Sequence, residues 1–213
     1  MYLSKICLLI LTTNANAHSN YDNTILTLGS HISRFIGPRI ERSLTIYDSS
    51  KENNNNQIMF IGKTSEQESF TDIVDNKMHL SYNYNVIPYN SNNTAQHIMC
   101  LIATIAKSDN TCTYDREDDL KIVHLPKITL VTHEFHVNRF KRTFNFIKYL
   151  FKNNYNIYIK NTPMQTELIK TPVNEDWLNK LEDEFMKNIS TDIENAEESE
   201  CFNDILKSLE YSA

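Results

Sequence analysis

Short apolar runs rich in β-branched residues alternate along the chain with longer segments of helical periodicity, and this alternation restricts the fold more than any other feature. The strand-like runs cover residues 24–28, 57–61, 127–131 and 155–159. Helical periodicity covers residues 39–47, 66–74, 93–107 and 136–151. Parallel neighbouring strands need long crossover connections, which are usually helices. The pattern therefore predicts an α/β fold, a Rossmann-like, mostly parallel sheet with helices on both faces.

Two further helices are predicted near the C-terminus, where apolar residues recur with helical spacing. One stripe comprises Trp177, Leu181, Phe185 and Ile189, and the other comprises Phe202, Ile205, Leu206 and Leu209. Residues 175–210 carry 12 acidic and 3 basic side chains, so the acidity of the chain is concentrated there. Such a run usually forms the solvated face of a helix, and the alternative is a surface for a protein partner. We expect no nucleic-acid partner, because no basic, aromatic-rich face stands out.

From the sequence we expect three parts: a leader over residues 1–22, one α/β domain over 23–165 and a C-terminal helical extension over 166–213. The leader has an early lysine, a short apolar run and an Ala-Asn-Ala pattern at 15–17, which together are typical of a cleavable signal peptide. The alternative is a leader on a cytoplasmic domain, and we take the cytoplasm as the first expectation and the secretory pathway as the second. The apolar run is too short to cross a membrane.

Cysteine spacing does not decide between these compartments. Cys100, Cys112 and Cys201 would remain after cleavage of a signal peptide, and this odd number has no spacing typical of a disulfide framework. The chain has no CxxC or HExxH motif, so no metal site is predicted. No cofactor is assigned from the sequence.

Polar residues cluster just after the predicted strands. The first clusters are Gly29-Ser30-His31 and Gly62-Lys63-Thr64-Ser65-Glu66, and the others lie at 91–97 and 132–139. In open α/β sheets ligands bind outside the carboxyl ends of the strands, so these clusters are expected to meet. The free N–H groups of helix N-termini favour anions there. Together with Arg139 and Lys63, these N-termini would suit a phosphate or carboxylate group.

Each candidate residue has an expected role in that site. Arg139 and Lys63 would hold the negative group, and Ser65, Asn93 and Thr132 would orient it. Proton transfer would fall to Glu66, Glu134, His136 or His133. Gly29, Gly62, Thr94 and His133 complete the predicted ligand contacts.

The same residues have structural interpretations. Thr132 and Asn93 could cap helices, and Glu134 could complement a helix dipole in a first turn. Arg139 could pair with Glu134 on the surface of one helix. Convergence of several clusters on one edge of the sheet is what favours the functional interpretation.

Taken in order, these blocks resemble the YdcF-like family, which also includes SanA and ElyC. The resemblance covers about residues 23–160. Its most specific block is Val131-Thr132-His133-Glu134-Phe135-His136-Val137-Asn138-Arg139. The His-Glu-Phe sequence in this block is most similar to the fungal branch of the family. It implies a pocket at the strand ends for a small anionic or nucleotide-like ligand. Two departures stand out: only Gly62 remains of a Ser-Gly-Gly element, and Gln96-His97 replaces a Glu-Asn pair. They motivate a second hypothesis, a non-catalytic member of the family that acts through protein contacts.

Overall fold

The structure is a computed structural model that describes residues 23–30, 33–50, 55–76, 82–108, 111–170 and 176–210. The predicted leader and the signal-peptide hypothesis therefore lie outside the described residues, as does His31. The strands are β1 (Asn23–Leu28), β2 (Asn56–Ile61), β3 (Tyr84–Val86), β4 (Cys112–Asp115), β5 (Leu120–His124), β6 (Lys127–His133), β7 (Ile157–Lys160) and β8 (Gln165–Ile169). The helices are α1 (Ile36–Ser50), α2 (Thr64–Asn76), α3 (Thr94–Ala106), α4 (Glu134–Tyr155), α5 (Asp176–Lys187), α6 (Ile189–Glu197) and α7 (Glu200–Glu210).

The central sheet has five strands in the order β3-β2-β1-β6-β8, and every neighbouring pair is parallel. The chain runs outward from β1 through β2 to β3, and then returns to place β6 on the other side of β1. The carboxyl ends of β1 and β6 therefore flank a topological switch point. The predicted α/β, Rossmann-like fold is confirmed.

Side chains of the central strands alternate between two apolar cores, one on each face of the sheet. On β2, Ile58 and Phe60 face the core built with α1 and α2, whereas Met59 and Ile61 face the larger core built with α3 and α4. Alternation of successive side chains across a strand produces this division. Because both faces are covered, β1, β2 and β6 are buried almost throughout rather than at every second residue.

Three strands form a second, smaller sheet in the order β4-β5-β7. The predicted final strand at 155–159 belongs here, because Ile157–Lys160 pairs with β5 instead of joining the central sheet. Its predicted start is also displaced, since α4 continues to Tyr155 and ends at Asn156 in the left-handed conformation with φ 52°. A residue in the left-handed conformation directly after the last turn commonly ends a helix.

The strand β8 was not predicted. It pairs with β6 at the edge of the central sheet, so that sheet continues past residue 165, where the domain boundary was predicted. The run Gln165–Ile169 has exposed and half-buried positions without a continuous apolar side. An edge strand with that pattern gives little sequence signal.

The C-terminal helices α6 and α7 pack on α3, opposite the face covered by α1. A disulfide joins Cys100 of α3 to Cys201 of α7, and Lys107 Nζ lies 2.6 Å from the carboxylate of Asp204. The cysteines are separated by 101 residues, which is why their spacing did not predict the bridge. Within the described ranges, no helix is both long enough and apolar enough to span a membrane.

Candidate functional site at the carboxyl edge of the sheet

A cleft lies at the carboxyl ends of β1, β2 and β6, at the topological switch point. Six of the residues predicted from the sequence line it: Gly29, Lys63, Glu66, Thr94, His136 and Arg139. The lining outside the predicted clusters consists of Arg39 and, on α5, Leu181, Glu182 and Phe185. Ser91, Asn92 and Phe135 also line the cleft and lie within the predicted clusters at 91–97 and 132–139. The cavity volume is about 30 Å³. That is room for about two water molecules. Side chains of α5 form part of the wall.

Glu66 bridges the ends of β1 and β2 with its carboxylate. Oε1 accepts a hydrogen bond from the backbone N–H of Ser30 at 3.0 Å, and Oε2 accepts one from the backbone N–H of Lys63 at 2.8 Å. A Cβ on Gly62 would lie 2.6 Å from Oε2, and a Cβ on Gly29 would also collide with it. Both glycines therefore make room for Glu66. Gly62 itself does not line the cleft.

His136 lies between two threonines at the base of the cleft. Nδ1 is hydrogen-bonded to Thr132 Oγ1 at 2.9 Å, and Nε2 is hydrogen-bonded to Thr94 Oγ1 at 3.1 Å. Burial holds the pKa of His136 well below its ordinary value, and the charges of Arg139 and Arg39 lower it further. The ring is neutral at pH 7, so it donates through one nitrogen and accepts through the other. Thr132 therefore orients His136 and is not part of the cleft wall.

Arg39 fixes the end of β1 against the end of β6. Its Nη1 donates to the carbonyls of Leu28 at 2.9 Å and Gly29 at 2.6 Å, and its Nε donates to His133 Nδ1 at 3.1 Å. Burial lowers the pKa of Arg39 to about 9, with a further lowering from Arg139. The guanidinium therefore stays charged at pH 7 beneath the cleft.

His133 lies behind the cleft and not in it. Its ring packs against Phe35 at 4.5 Å between centroids, and it accepts the hydrogen bond from Arg39. Burial lowers the pKa of His133 to about 4, helped by the charge of Arg39. The predicted direct ligand contact from His133 is thus replaced by support of Arg39.

Arg139 pairs with a residue of α5 that the sequence did not indicate. Its Nη2 lies 3.3 Å from Glu182 Oε1, and the ring of Phe185 lies 4.2 Å from the guanidinium carbon. Arg139 is thus buried against Glu182 and does not form the alternative surface pair with Glu134, which is exposed in the first turn of α4. In the part of the chain that the structure describes, Arg139 Nε and Glu182 Oε2 are buried atoms without a hydrogen-bond partner. The ion pair therefore leaves one donor and one acceptor unsatisfied.

The remaining predicted residues have local structural roles or face solvent. Asn93 caps α3, since its side chain accepts the backbone N–H of Gln96 at 2.8 Å. Gln96 in turn accepts the backbone N–H of Asn92 at 2.8 Å, which resembles a capping box. Ser65 is exposed in the first turn of α2 and does not line the cleft.

The cleft has an excess of positive charge. Arg39, Lys63 and Arg139 contribute three cations, against the carboxylates of Glu66 and Glu182. Thr94 is the first residue of α3, whose free N–H groups add positive potential at the same edge. The arrangement can therefore hold an anionic group.

No protein-family model, curated protein or solved structure matches the chain.

Proposed function

We propose that the chain is a YdcF-like protein that binds a small anionic ligand, or the anionic end of a nucleotide-like ligand, at the carboxyl edge of its sheet. The observation that carries the proposal is Arg139, which lines the cleft, is 9% exposed and has an Nε with no hydrogen-bond partner among the described residues. An unpaired buried donor on a charged group is costly, so such a group usually marks a place where something binds. A guanidinium offers a planar, bidentate surface to a carboxylate or phosphate.

Binding is better supported than catalysis. Both ring nitrogens of His136 are engaged by threonines, and both carboxylate oxygens of Glu66 accept backbone N–H groups. The pKa of His136 lies well below its ordinary value because of burial, which makes the ring a weak base. Glu66 and His136, the two of the expected proton-transfer groups that line the cleft, are therefore held in place by hydrogen bonds as parts of its wall.

An oxidising compartment is proposed for the protein, in line with the secretory alternative. Disulfides persist in secreted proteins and are rare in the cytoplasm of most cells. The bridge between Cys100 and Cys201 supports this assignment. Both cysteines are buried in the larger core. The N-terminal residue of the mature protein, determined on material from its native host, tests it: a start at residue 1 would contradict secretion through a cleaved leader.

The anion-binding role is tested by a thermal-shift screen of inorganic phosphate, nucleotides and phosphorylated metabolites at millimolar concentration. Hits are then measured by calorimetry on wild type, Arg139→Gln and Arg142→Gln, at a temperature where circular dichroism shows all three folded. Arg142 lies on the same helix but is exposed, so it controls for loss of one positive charge.

We expect at least tenfold weaker binding by Arg139→Gln and little change for Arg142→Gln, because only Arg139 lines the cleft. Equal weakening by both variants would point to general charge and not to the cleft. If no anion stabilises the wild type, the binding role is abandoned.

A further inference from the structure

The helix α5 covers the cleft with two side chains that both contact Arg139. Glu182 places its carboxylate 3.3 Å from the guanidinium, and Phe185 places its ring against the face of the same group. One carboxylate oxygen makes this contact while Oε2 stays unpartnered, and Nε of Arg139 is unpartnered on the other side. The pair therefore does not have the two parallel hydrogen bonds of a bidentate arginine–carboxylate contact.

The buried position of the Glu182 carboxylate is unfavourable for its charged form. It is 8% exposed, and burial raises its pKa in spite of the opposing charges of Arg139 and Arg39. Removing two charges from water costs more than their attraction returns unless the geometry is good and the remaining polar atoms are satisfied. An anion that used both Nη2 and Nε would satisfy Arg139 better than Glu182 does.

The attachment of α5 to the domain is weaker than that of the two helices that follow it. The disulfide and the Lys107–Asp204 ion pair hold α7 on α3. Ile189, Ile193 and Ala196 of α6 are buried in the larger core. Among the side chains described for α5, by contrast, only Leu178 and Glu182 are buried. Fewer of the described side chains are therefore buried in α5 than in α6 or α7.

We propose that α5 is an internal competitor for the anion site, in which the Glu182 carboxylate occupies the position on Arg139 that the charge of the ligand takes. This proposal rests on the anion-binding function and describes how that site is regulated. Ligand binding and α5 docking are then mutually exclusive. Because the apparent affinity depends on the fraction of molecules in which α5 is displaced, weakening α5 docking must strengthen anion binding, up to the factor by which docking had reduced it.

The only tryptophan of the chain reports on this helix. Trp177 lies in the first turn of α5, is 45% exposed, and has the guanidinium of Arg34 5.7 Å from its ring. Displacement of α5 removes that neighbour and exposes the indole. Acrylamide quenching of tryptophan fluorescence therefore measures α5 docking directly, with or without a ligand.

The test compares wild type, Glu182→Gln and Glu184→Gln, with inorganic phosphate as the probe alongside the strongest hit of the anion screen. Glu184 is exposed on the same helix, so its substitution removes one charge without touching the cleft. We expect Glu182→Gln to bind phosphate about tenfold more tightly, within the usual range of coupling between sites. We also expect greater quenching of Trp177 in Glu182→Gln before phosphate is added, and increased quenching of the wild type on adding it. Glu184→Gln should match the wild type in both measurements.

A second variant controls for a local folding defect caused by the substitution of Glu182. Phe185→Ala removes the ring from the guanidinium of Arg139 and should also tighten phosphate binding. If both variants bind anions with the wild-type affinity and phosphate leaves Trp177 quenching unchanged, the competitor role is overturned while the anion-binding function stands. If neither the wild type nor Glu182→Gln binds any anion of the screen, the anion-binding function itself has failed.

Discussion

The carboxylate of Glu66 fills the space that a side chain at Gly29 would occupy. It is held there by the backbone N–H groups of Ser30 and Lys63, at the ends of two neighbouring strands. Gly29 and Gly62 have no positive φ, so close approach, and not backbone conformation, is what requires glycine at these positions. One carboxylate thus explains both glycines and sets the shape of the cleft floor.

Substitution of Gly29 by alanine should destabilise the protein by about 1–3 kcal/mol, the usual cost of overpacking a close-packed site. The new methyl group would collide with Glu66 and with the backbone of Gly62. Urea unfolding measures the change. Gly37→Ala is the matched control, because no atom of the described residues lies within 4 Å of a Cβ at that helical position. Wild-type stability in Gly29→Ala would contradict the contact with Glu66.

Phe144→Ala should lower the free energy of unfolding by about 3–5 kcal/mol, as truncation of a buried phenylalanine usually does. Phe144 is 4% exposed and lies in the larger core, whereas Phe146 on the same helix is 45% exposed. Phe146→Ala should therefore change the free energy of unfolding by less than about 1 kcal/mol. Denaturation midpoints of the two variants, measured side by side, compare the buried face of α4 with its exposed face. Similar losses in both would be inconsistent with this packing.

The sequence predicts the sheet well where strands are apolar throughout. Runs such as Asn56–Ile61 are buried on both faces and end at a glycine, so composition alone marks them. Tyr84–Val86 has three residues and Gln165–Ile169 lies at an edge, and both are half-exposed. Their place in the sheet comes from pairing with β2 and β6, which no local pattern of residues encodes.

The candidate site divides in the same way. Residues that follow strands, such as Glu66 and His136, could be predicted because topology brings strand ends together. Arg39 was missed because it lies on the apolar stripe of α1, although a charged residue at such a position is itself a signal. Glu182 could not be found, since its contact with Arg139 depends on where a distant helix packs.

Loss of the Cys100–Cys201 bridge should lower the free energy of unfolding by about 2–5 kcal/mol, as removal of a native disulfide typically does. Cys201→Ala breaks the bridge and Cys112→Ala does not, because Cys112 is a free, half-buried thiol. Urea unfolding with and without reductant measures the difference. Reductant should destabilise the wild type and Cys112→Ala but leave Cys201→Ala unchanged. If reductant has no effect on the wild type, or if peptide mapping finds no linked pair, the bridge is not formed.

Stability should fall as the pH is lowered from about 7 toward 4, and His133 should account for part of the loss. The folded protein keeps His133 neutral, because burial and the charge of Arg39 lower its pKa from 6.5 to about 4. The unfolded chain takes up a proton near pH 6.5. A depressed folded pKa therefore contributes stability that is complete above pH 6.5 and is lost progressively down to about pH 4. His136, whose pKa is also lowered by burial, acts in the same direction.

His133→Asn isolates this contribution from that of the other titrating groups. An asparagine can still offer an oxygen to Arg39 Nε, but it does not titrate. Between pH 7 and pH 5 the wild type should therefore lose on the order of 1 kcal/mol more than the variant. The check is a series of urea unfolding curves for both proteins at pH 7, 6 and 5. The carboxylates, including Glu182 with its raised pKa, are common to both proteins and cancel in the comparison. Equal losses of unfolding free energy in the two proteins would mean that His133 is protonated as easily in the folded state as in the unfolded one. That result would contradict the hydrogen bond that Arg39 donates to His133.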